Sequence, residues 1–193
     1  MIEWIHMEIK LLGDYTIFLK GKKENVLINP TGKEDFKNDS RVVLFTGNEF
    51  DKVDVLGEKI LIRGPGEYEI GGVEINGFNG ENGDTIYKII MDGISLIILG
   101  KLGQELTPKR IERIDSTDVL LAPVMINKVA SYKLVKEWSK KWGVNYLIPL
   151  FDTDESLKAF LDGADEEGLE TIDSLKIEKA DLPDGLEVKL LKK

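Results

Sequence analysis

The sequence predicts an α/β (α+β) fold, a sandwich of β-sheets that carries helices on its outside. Two observations lead to this prediction. Up to Leu99 the chain consists of short apolar or β-branched runs separated by Gly, Pro, Asn and Asp, a pattern typical of strands and turns. After Gly103, helical patterns alternate with strand patterns. Many strands followed by mixed helices and strands favour two packed sheets with helices on their outer faces.

Turn residues separate the strands of the first half. Strands are predicted at residues 9–12, 16–19, 26–28, 42–45, 60–62, 73–75, 85–90 and 95–99. Glycine supplies a positive φ and proline a fixed φ at the reversals between them. Asp92-Gly93 lies between two such runs and predicts a tight β-hairpin.

The second half contains three predicted helices. The first is expected at 107–114, with Thr107 as N-cap and Pro108 at the first helical position. The second, at 128–142, has an apolar stripe that predicts core packing, although its aromatic side chains could also form a partner surface. The stripe contains Val129, Tyr132, Val135, Trp138 and Trp142. The third is expected at 154–161, and strands are predicted at 119–123, 146–149, 175–177 and 186–191.

Composition restricts the classes of function. The 193 residues carry a net charge of −9, which would repel the phosphates of a nucleic acid. The chain contains no cysteine, which excludes disulfides and thiolate chemistry. No apolar run approaches the roughly 20 residues of a membrane span. We therefore expect one domain over residues 1–193, located in the cytoplasm, with neither a nucleic-acid nor a membrane partner.

Several segments, taken in order, carry a family resemblance. The most specific is Gly-Pro-Gly-Glu-Tyr-Glu-Ile-Gly-Gly-Val-Glu-Ile at 64–75. The others are Val-Leu-Ile-Asn-Pro at 26–30, Leu-Gly-Lys-Leu-Gly at 99–103, Asp-Val-Leu-Leu-Ala-Pro-Val at 118–124 and Leu-Ile-Pro-Leu at 147–150. Over roughly residues 7–162 the chain resembles the metallo-β-lactamase fold superfamily, specifically its small single-domain, Zn-dependent hydrolase-like branch. The resemblance implies a four-layer αββα sandwich and a zinc site that activates water.

The metal ligands that the resemblance implies are missing. The family's ligand loop reads Thr/Ser-His-x-His-x-Asp-His, whereas residues 46–52 read Thr-Gly-Asn-Glu-Phe-Asp-Lys. Elsewhere, Lys101 replaces the bridging aspartate and Phe151 replaces the last histidine. Asp14 replaces an early histidine, and Asn29 replaces the aspartate of an Asp-Pro pair. A further histidine, expected in the loop at 78–83, is absent, and the one histidine, His6, precedes the first strand. The degenerate positions of the former site are Asp14, Gly47, Glu49, Asp51, Lys52, Lys101 and Phe151.

These replacements predict a protein with no catalytic or metal-binding residue and no cofactor, which acts as a binding or regulatory module. We expect Lys52 and Lys101 to pair with Asp14, Glu49 and Asp51 and so to fill the old pocket. One alternative is a hydrolase that uses those three carboxylates to hold Mg²⁺ or Mn²⁺. Another is a structural homo-oligomer or a subunit of a protein complex.

Overall fold

The first half of the chain forms a six-stranded sheet that also takes up one strand from near the C-terminus. The structure is a computed structural model that describes residues 7–32, 40–47, 58–81, 83–102, 105–124, 131–164 and 169–193. The strands are β1 Met7–Leu11, β2 Ile17–Lys20, β3 Asn25–Ile28, β4 Val42–Phe45, β5 Ile60–Arg63 and β13 Leu175–Ile177. Their order is β13-β1-β2-β3-β4-β5. The strands pair antiparallel from β13 to β3 and parallel from β3 to β5.

A seven-stranded sheet packs against the first. Its strands are β6 Gly66–Ile70, β7 Val73–Asn79, β8 Thr85–Met91, β9 Ile94–Ile98, β10 Val119–Pro123, β11 Tyr146–Leu150 and β14 Glu187–Val188. They lie in the order β14-β11-β10-β9-β8-β7-β6, antiparallel from β6 to β9 and parallel from β9 to β14. The predicted hairpin joins β8 to β9. Asp92 and Gly93 both have positive φ, +51° and +80°, as a type I′ turn requires.

The two faces of the seven-stranded sheet contact different layers. On its inner face, Ile89 and Leu121 belong to one buried cluster with Ile17 and Leu44 of the six-stranded sheet. On its outer face lie the helices α1 Pro108–Ile111, α2 Tyr132–Trp142 and α3 Asp154–Ala164. Alternate side chains of each central strand therefore pack into the inter-sheet core and against the helix layer.

The tryptophan stripe of α2 lies in this helix layer. Trp138 and Trp142 are buried and stack with ring centroids 6.2 Å apart. They share a cluster with Leu120 of the sheet and Phe160 of α3. Val135, Trp138 and Trp142 are therefore core, as predicted, whereas Tyr132 is partly buried and Val129 lies outside the described residues. Trp142 Nε1 donates a hydrogen bond to the Ile111 carbonyl at 3.0 Å. None of the helices in the described segments is long and apolar enough to cross a membrane.

Two sequence predictions need correction. The helix predicted at 107–114 extends only over α1, because the Arg113 N–H donates to the Arg110 carbonyl, an i−3 bond that tightens and ends the helix. The strand predicted at 186–191 divides in two. Lys189 N–H still bonds the Leu147 carbonyl of β11, but β15 (Leu190–Leu191) pairs with β12 (Thr171–Ile172). The segment thus changes partner at Lys189.

The C-terminal segment connects the two sheets. It leaves β13 in the six-stranded sheet, passes through a 3₁₀ turn at Lys179–Asp181 and reaches β14 in the seven-stranded sheet. Lys179 Nζ lies 2.7 Å from both carboxylate oxygens of Asp118 at the start of β10. After β15 the segment continues to Lys193.

Candidate functional site

Strand ends from both sheets meet at one edge of the sandwich. In the six-stranded sheet Ile17 pairs with Ile28 and Ile28 with Leu44, so the β1–β2 turn lies beside the ends of β3 and β4. In the seven-stranded sheet the pair Tyr87 and Ile98 brings the start of β8 beside the end of β9. The residues that follow these strand ends therefore gather at this edge. The sequence places the degenerate positions Asp14, Gly47 and Lys101 among them.

A buried hydrogen-bonded pair, Asn29 and Thr46, holds the ends of β3 and β4 together. The Thr46 backbone N–H donates to Asn29 Oδ1 at 2.8 Å, and Asn29 Nδ2 donates to Thr46 Oγ1 at 2.9 Å. Thr16 Oγ1 donates to the Asn29 carbonyl at 2.8 Å. Asn29 has φ +50°, a left-handed conformation that asparagine tolerates better than most residues. Its amide therefore holds Thr46 in place at the end of β4.

Thr46 also joins the two sheets. The Thr85 N–H at the start of β8 donates to the Thr46 carbonyl at 2.7 Å. Gly100, just after β9, packs against the Thr46 side chain so closely that a Cβ at Gly100 would lie 2.5 Å from Thr46 Oγ1. Gly100 also has φ +67°. Asn29, Thr46 and Gly100 form a tight frame, which we call the strand-end frame.

Three predicted positions lie around this frame without supplying metal ligands. Gly47, at the position of the first loop histidine, has no side chain to coordinate a metal. Lys101, at the position of the bridging aspartate, is exposed, and its Nζ lies 5.7 Å from the centroid of the Tyr15 ring. Phe151, at the position of the last histidine, is buried and presents an aromatic ring. Neither a ring of this kind nor an ammonium donates electrons to zinc.

The carboxylate of Asp14 is held by a cation that sequence reasoning did not identify. Lys193 Nζ lies 2.8 Å from Asp14 Oδ1 and donates to the Phe151 carbonyl at 2.6 Å. It also lies 3.7 Å from the centroid of the Phe151 ring. The predicted pairing of Lys101 with Asp14 is therefore wrong, since Lys193 takes that place. Glu49, Asp51 and Lys52, also expected in such pairs, lie outside the described residues, as does His6.

The loop in which a further histidine was expected has a structural carboxylate instead. Glu81 is buried, and its Oε1 accepts from Arg110 Nε at 2.7 Å and from the Thr107 N–H at 3.2 Å. Burial alone would raise the pKa of Glu81, but the bonds from Thr107 and Arg110 outweigh it and lower that pKa below its ordinary value of 4.5. Glu81 thus ties the loop to α1. Sequence reasoning missed this contact, and the local sequence contains no signal for it.

The donors among the described residues at this edge do not fit the zinc that the family implies. Within the described residues, no group of three or more His, Cys, Asp or Glu side chains could hold a metal ion. Among the described positions where the resemblance expects a ligand, Asp14 alone has a carboxylate. That carboxylate forms an ion pair with Lys193. For the alternative Mg²⁺ or Mn²⁺ site, Asp14 is likewise engaged, and its two proposed partners lie outside the described residues.

Solved structures with the same fold include several metal-dependent hydrolases. A protein from Thermotoga maritima, described as a candidate Zn-dependent hydrolase of the metallo-β-lactamase superfamily, is 24% identical, with a TM-score of 0.79 over 96% of this chain and 99% of that chain. A candidate metal-dependent hydrolase from Parabacteroides distasonis is 11% identical, with a TM-score of 0.64 over 96% and 94%. Igni18, a metallo hydrolase from Ignicoccus hospitalis, is 12% identical, with a TM-score of 0.62 over 90% and 99%. At these identities the likeness concerns the fold, and it confirms the predicted αββα sandwich.

Sequence comparison assigns the family. None of the curated proteins compared with the chain shows significant similarity to it. The family model described as the beta-lactamase superfamily domain matches residues 8–150. That range agrees with the segment over which the motifs resemble the family. Because the match covers most of the chain, the protein belongs to the metallo-β-lactamase superfamily, in the family described as the beta-lactamase superfamily domain.

Proposed function

We propose that this protein is a non-catalytic member of its hydrolase-like family, a single domain over residues 1–193 that acts by binding a ligand or partner without a resident metal. One observation carries the proposal. The Lys193 ammonium lies on the Asp14 carboxylate and the Phe151 carbonyl, at two positions where the family resemblance expects metal-binding histidines.

Charge supports this proposal. A divalent cation beside Asp14 would have to displace or approach the Lys193 ammonium, and two positive charges about 4 Å apart repel each other by several kcal/mol at the effective dielectric constant of a protein surface. Lys101, a second cation, replaces the bridging aspartate. The substitutions therefore oppose metal binding as well as removing its ligands.

The geometry of the strand ends supports a binding role. Asn29, Thr46 and Gly100 keep the ends of β3, β4 and β9 in close contact through buried hydrogen bonds and side-chain packing. An edge defined in this way can present a fixed surface to a ligand even though it lacks a metal.

Metal analysis of protein purified without a histidine tag tests the proposal. We expect zinc far below one equivalent, no hydrolysis of phosphodiesters or lactones, and no rise in the thermal midpoint on addition of Zn²⁺, Mg²⁺ or Mn²⁺. One equivalent of tightly held zinc together with hydrolytic activity would overturn it.

The same titration tests the Mg²⁺ or Mn²⁺ alternative with a matched pair of variants. Asp14→Asn removes a carboxylate that this alternative needs, and Asp173→Asn removes an exposed one that pairs with Lys192. Stabilisation of the wild type by Mn²⁺ that Asp14→Asn abolishes and Asp173→Asn retains would support the carboxylate site against our proposal. We expect no such stabilisation in any of the three proteins.

A further inference from the structure

A small cavity opens beside the strand-end frame. It lies between the ends of β4 and β5 and the start of β8, and its empty volume is about 240 Å³ including the part open to solvent. Its lining includes Thr46, Gly47, Arg63, Gly64, Gly83 and Thr85. Gly47 is the position of a former metal ligand, so this cavity is part of the edge described above. Its walls are mainly polar.

Arg63, an exposed residue at the end of β5, supplies a positive charge to the cavity. Its guanidinium carbon lies 4.4 Å from the centroid of the Phe45 ring, and Phe45 is buried, so the ring orients the guanidinium. A guanidinium stays protonated at any physiological pH and has five N–H donors. It can therefore serve a ligand in addition to its contacts with the protein. Its planar fork matches the paired oxygens of a carboxylate or a phosphate.

Two glycines leave space for a ligand to approach the backbone. Gly64 has φ +87° and Gly83 has φ +85°, and at both positions no heavy atom of the described residues lies within 4 Å of where a Cβ would be. Any other residue would put a side chain into that space and would be strained in this conformation. Backbone at the cavity wall is thus accessible to a small group.

The charges around the cavity favour an anion. Among the described residues, those that line it include one cation, Arg63, and no carboxylate. The whole chain has a net charge of −9, so the general field of the protein does not account for a positive site here.

We infer that this cavity binds a small oxyanion group, a phosphate or a carboxylate, on the Arg63 guanidinium. The inference rests on the proposed function, because it assigns a ligand class to the metal-free pocket. An edge that holds cations in the enzymes of the family would then hold anions in this chain.

Calorimetric titration of metal-free protein with inorganic phosphate, and separately with acetate, tests the inference at constant ionic strength. Arg63→Gln removes the charge at the cavity. Arg41→Gln is the matched control, since Arg41 pairs with Glu24 at 3.0 Å and does not line the cavity. We expect Arg63→Gln to weaken binding of the preferred anion by about tenfold or more, the value of one charge-assisted contact. Arg41→Gln should bind as the wild type does, and the tighter of the two anions identifies the group.

Three outcomes would overturn the inference, and they separate it from the proposed function. Metal-free protein that binds neither anion refutes the inference and leaves the proposed function intact. Equal weakening in both arginine variants shows a general charge effect and no site. Anion binding that requires added zinc and is unchanged in Arg63→Gln refutes both. Circular dichroism of each variant checks that it is folded, and Arg63→Lys, which keeps the charge and loses the fork, should give an intermediate affinity.

Discussion

Substitution of Gly100 by alanine tests the strand-end frame directly. The new Cβ would lie 2.5 Å from Thr46 Oγ1 and 2.6 Å from Thr46 Cβ. Ordinary contacts between carbon atoms are roughly 3.5–4.0 Å, so one group must move. The Thr46 side chain has little freedom to move, because its hydroxyl and backbone N–H both bond to Asn29. We therefore expect a loss of stability larger than that from backbone strain alone.

Gly143 provides a matched control at the C-terminal cap of α2. Its φ is +65°, nearly the +67° of Gly100, but no heavy atom lies within 4 Å of its Cβ position. Left-handed strain costs either alanine roughly 1–2 kcal/mol. Overpacking adds about 1–3 kcal/mol for Gly100→Ala only. The two variants should thus differ by about 1–3 kcal/mol, or about 2–12 °C in thermal midpoint for a chain of this size.

Urea unfolding followed by tryptophan fluorescence measures this difference, since Trp138 and Trp142 are buried in the native protein. Thermal unfolding followed by circular dichroism provides an independent value. Equal losses in Gly100→Ala and Gly143→Ala would refute the reasoning. The end of β9 would then not press against Thr46, and the site would lack the rigid frame on which the proposed function depends.

Two further predictions concern charged groups. Lys193→Met should lower stability by about 1–2 kcal/mol, because it removes a partly exposed ion pair, a hydrogen bond and a cation–π contact. Lys192→Met removes an exposed ion pair and should change the free energy of unfolding by less than about 0.5 kcal/mol. Chemical denaturation measures both variants. Similar losses in the two would show that the contacts of Lys193 with Asp14 and Phe151 do not stabilise the protein. Burial raises the pKa of Glu8, but a hydrogen bond from Ser174 and the neighbouring lysines outweigh it, so that its net pKa is below the ordinary value of 4.5. The folded state thus favours the ionised carboxylate, and the stability that Glu8 contributes is full above pH 4.5 and is lost as pH falls below its lowered pKa. The thermal midpoint of the wild type should exceed that of Glu8→Gln near neutral pH, and this difference should disappear in acid. The difference between the wild type and Glu67→Gln, a variant at an exposed position, should not change with pH. A difference from Glu8→Gln that persists in acid would show that Glu8 acts through packing.

Local patterns predicted the strands and helices well where one face of an element is buried. The stripe of Val135, Trp138 and Trp142 specified α2, and Asp92-Gly93 specified a hairpin, because each depends on neighbours within a few residues. Element ends were less predictable. At Lys189 the chain changes from one sheet partner to another, and such a change depends on tertiary contacts that no local pattern contains.

The candidate site was likewise predictable only in part. The replacements at Gly47, Lys101 and Phe151 were evident from the motifs alone. The partner of Asp14 was not, because Lys193 is 179 residues away in sequence and lies beyond the segment that resembles the family. Arg63 follows an apolar strand and looks like an ordinary surface residue until the fold places it at a cavity. Contacts of this kind depend on the topology of both sheets.

The strand-end frame has a physical role that is separate from catalysis. Thr46 accepts a hydrogen bond from the other sheet, and the left-handed Asn29 is held by contacts to two strands, so loss of either would destabilise the fold itself. Folding alone therefore requires the shape of this edge, independently of any metal. It follows that the shape cannot distinguish a hydrolase from a binding protein, and that the distinction depends on the side chains that folding does not require. Lys193 and Arg63 are such side chains. Lys193 contacts two positions where the resemblance expects histidine ligands, and Arg63 lines the neighbouring cavity.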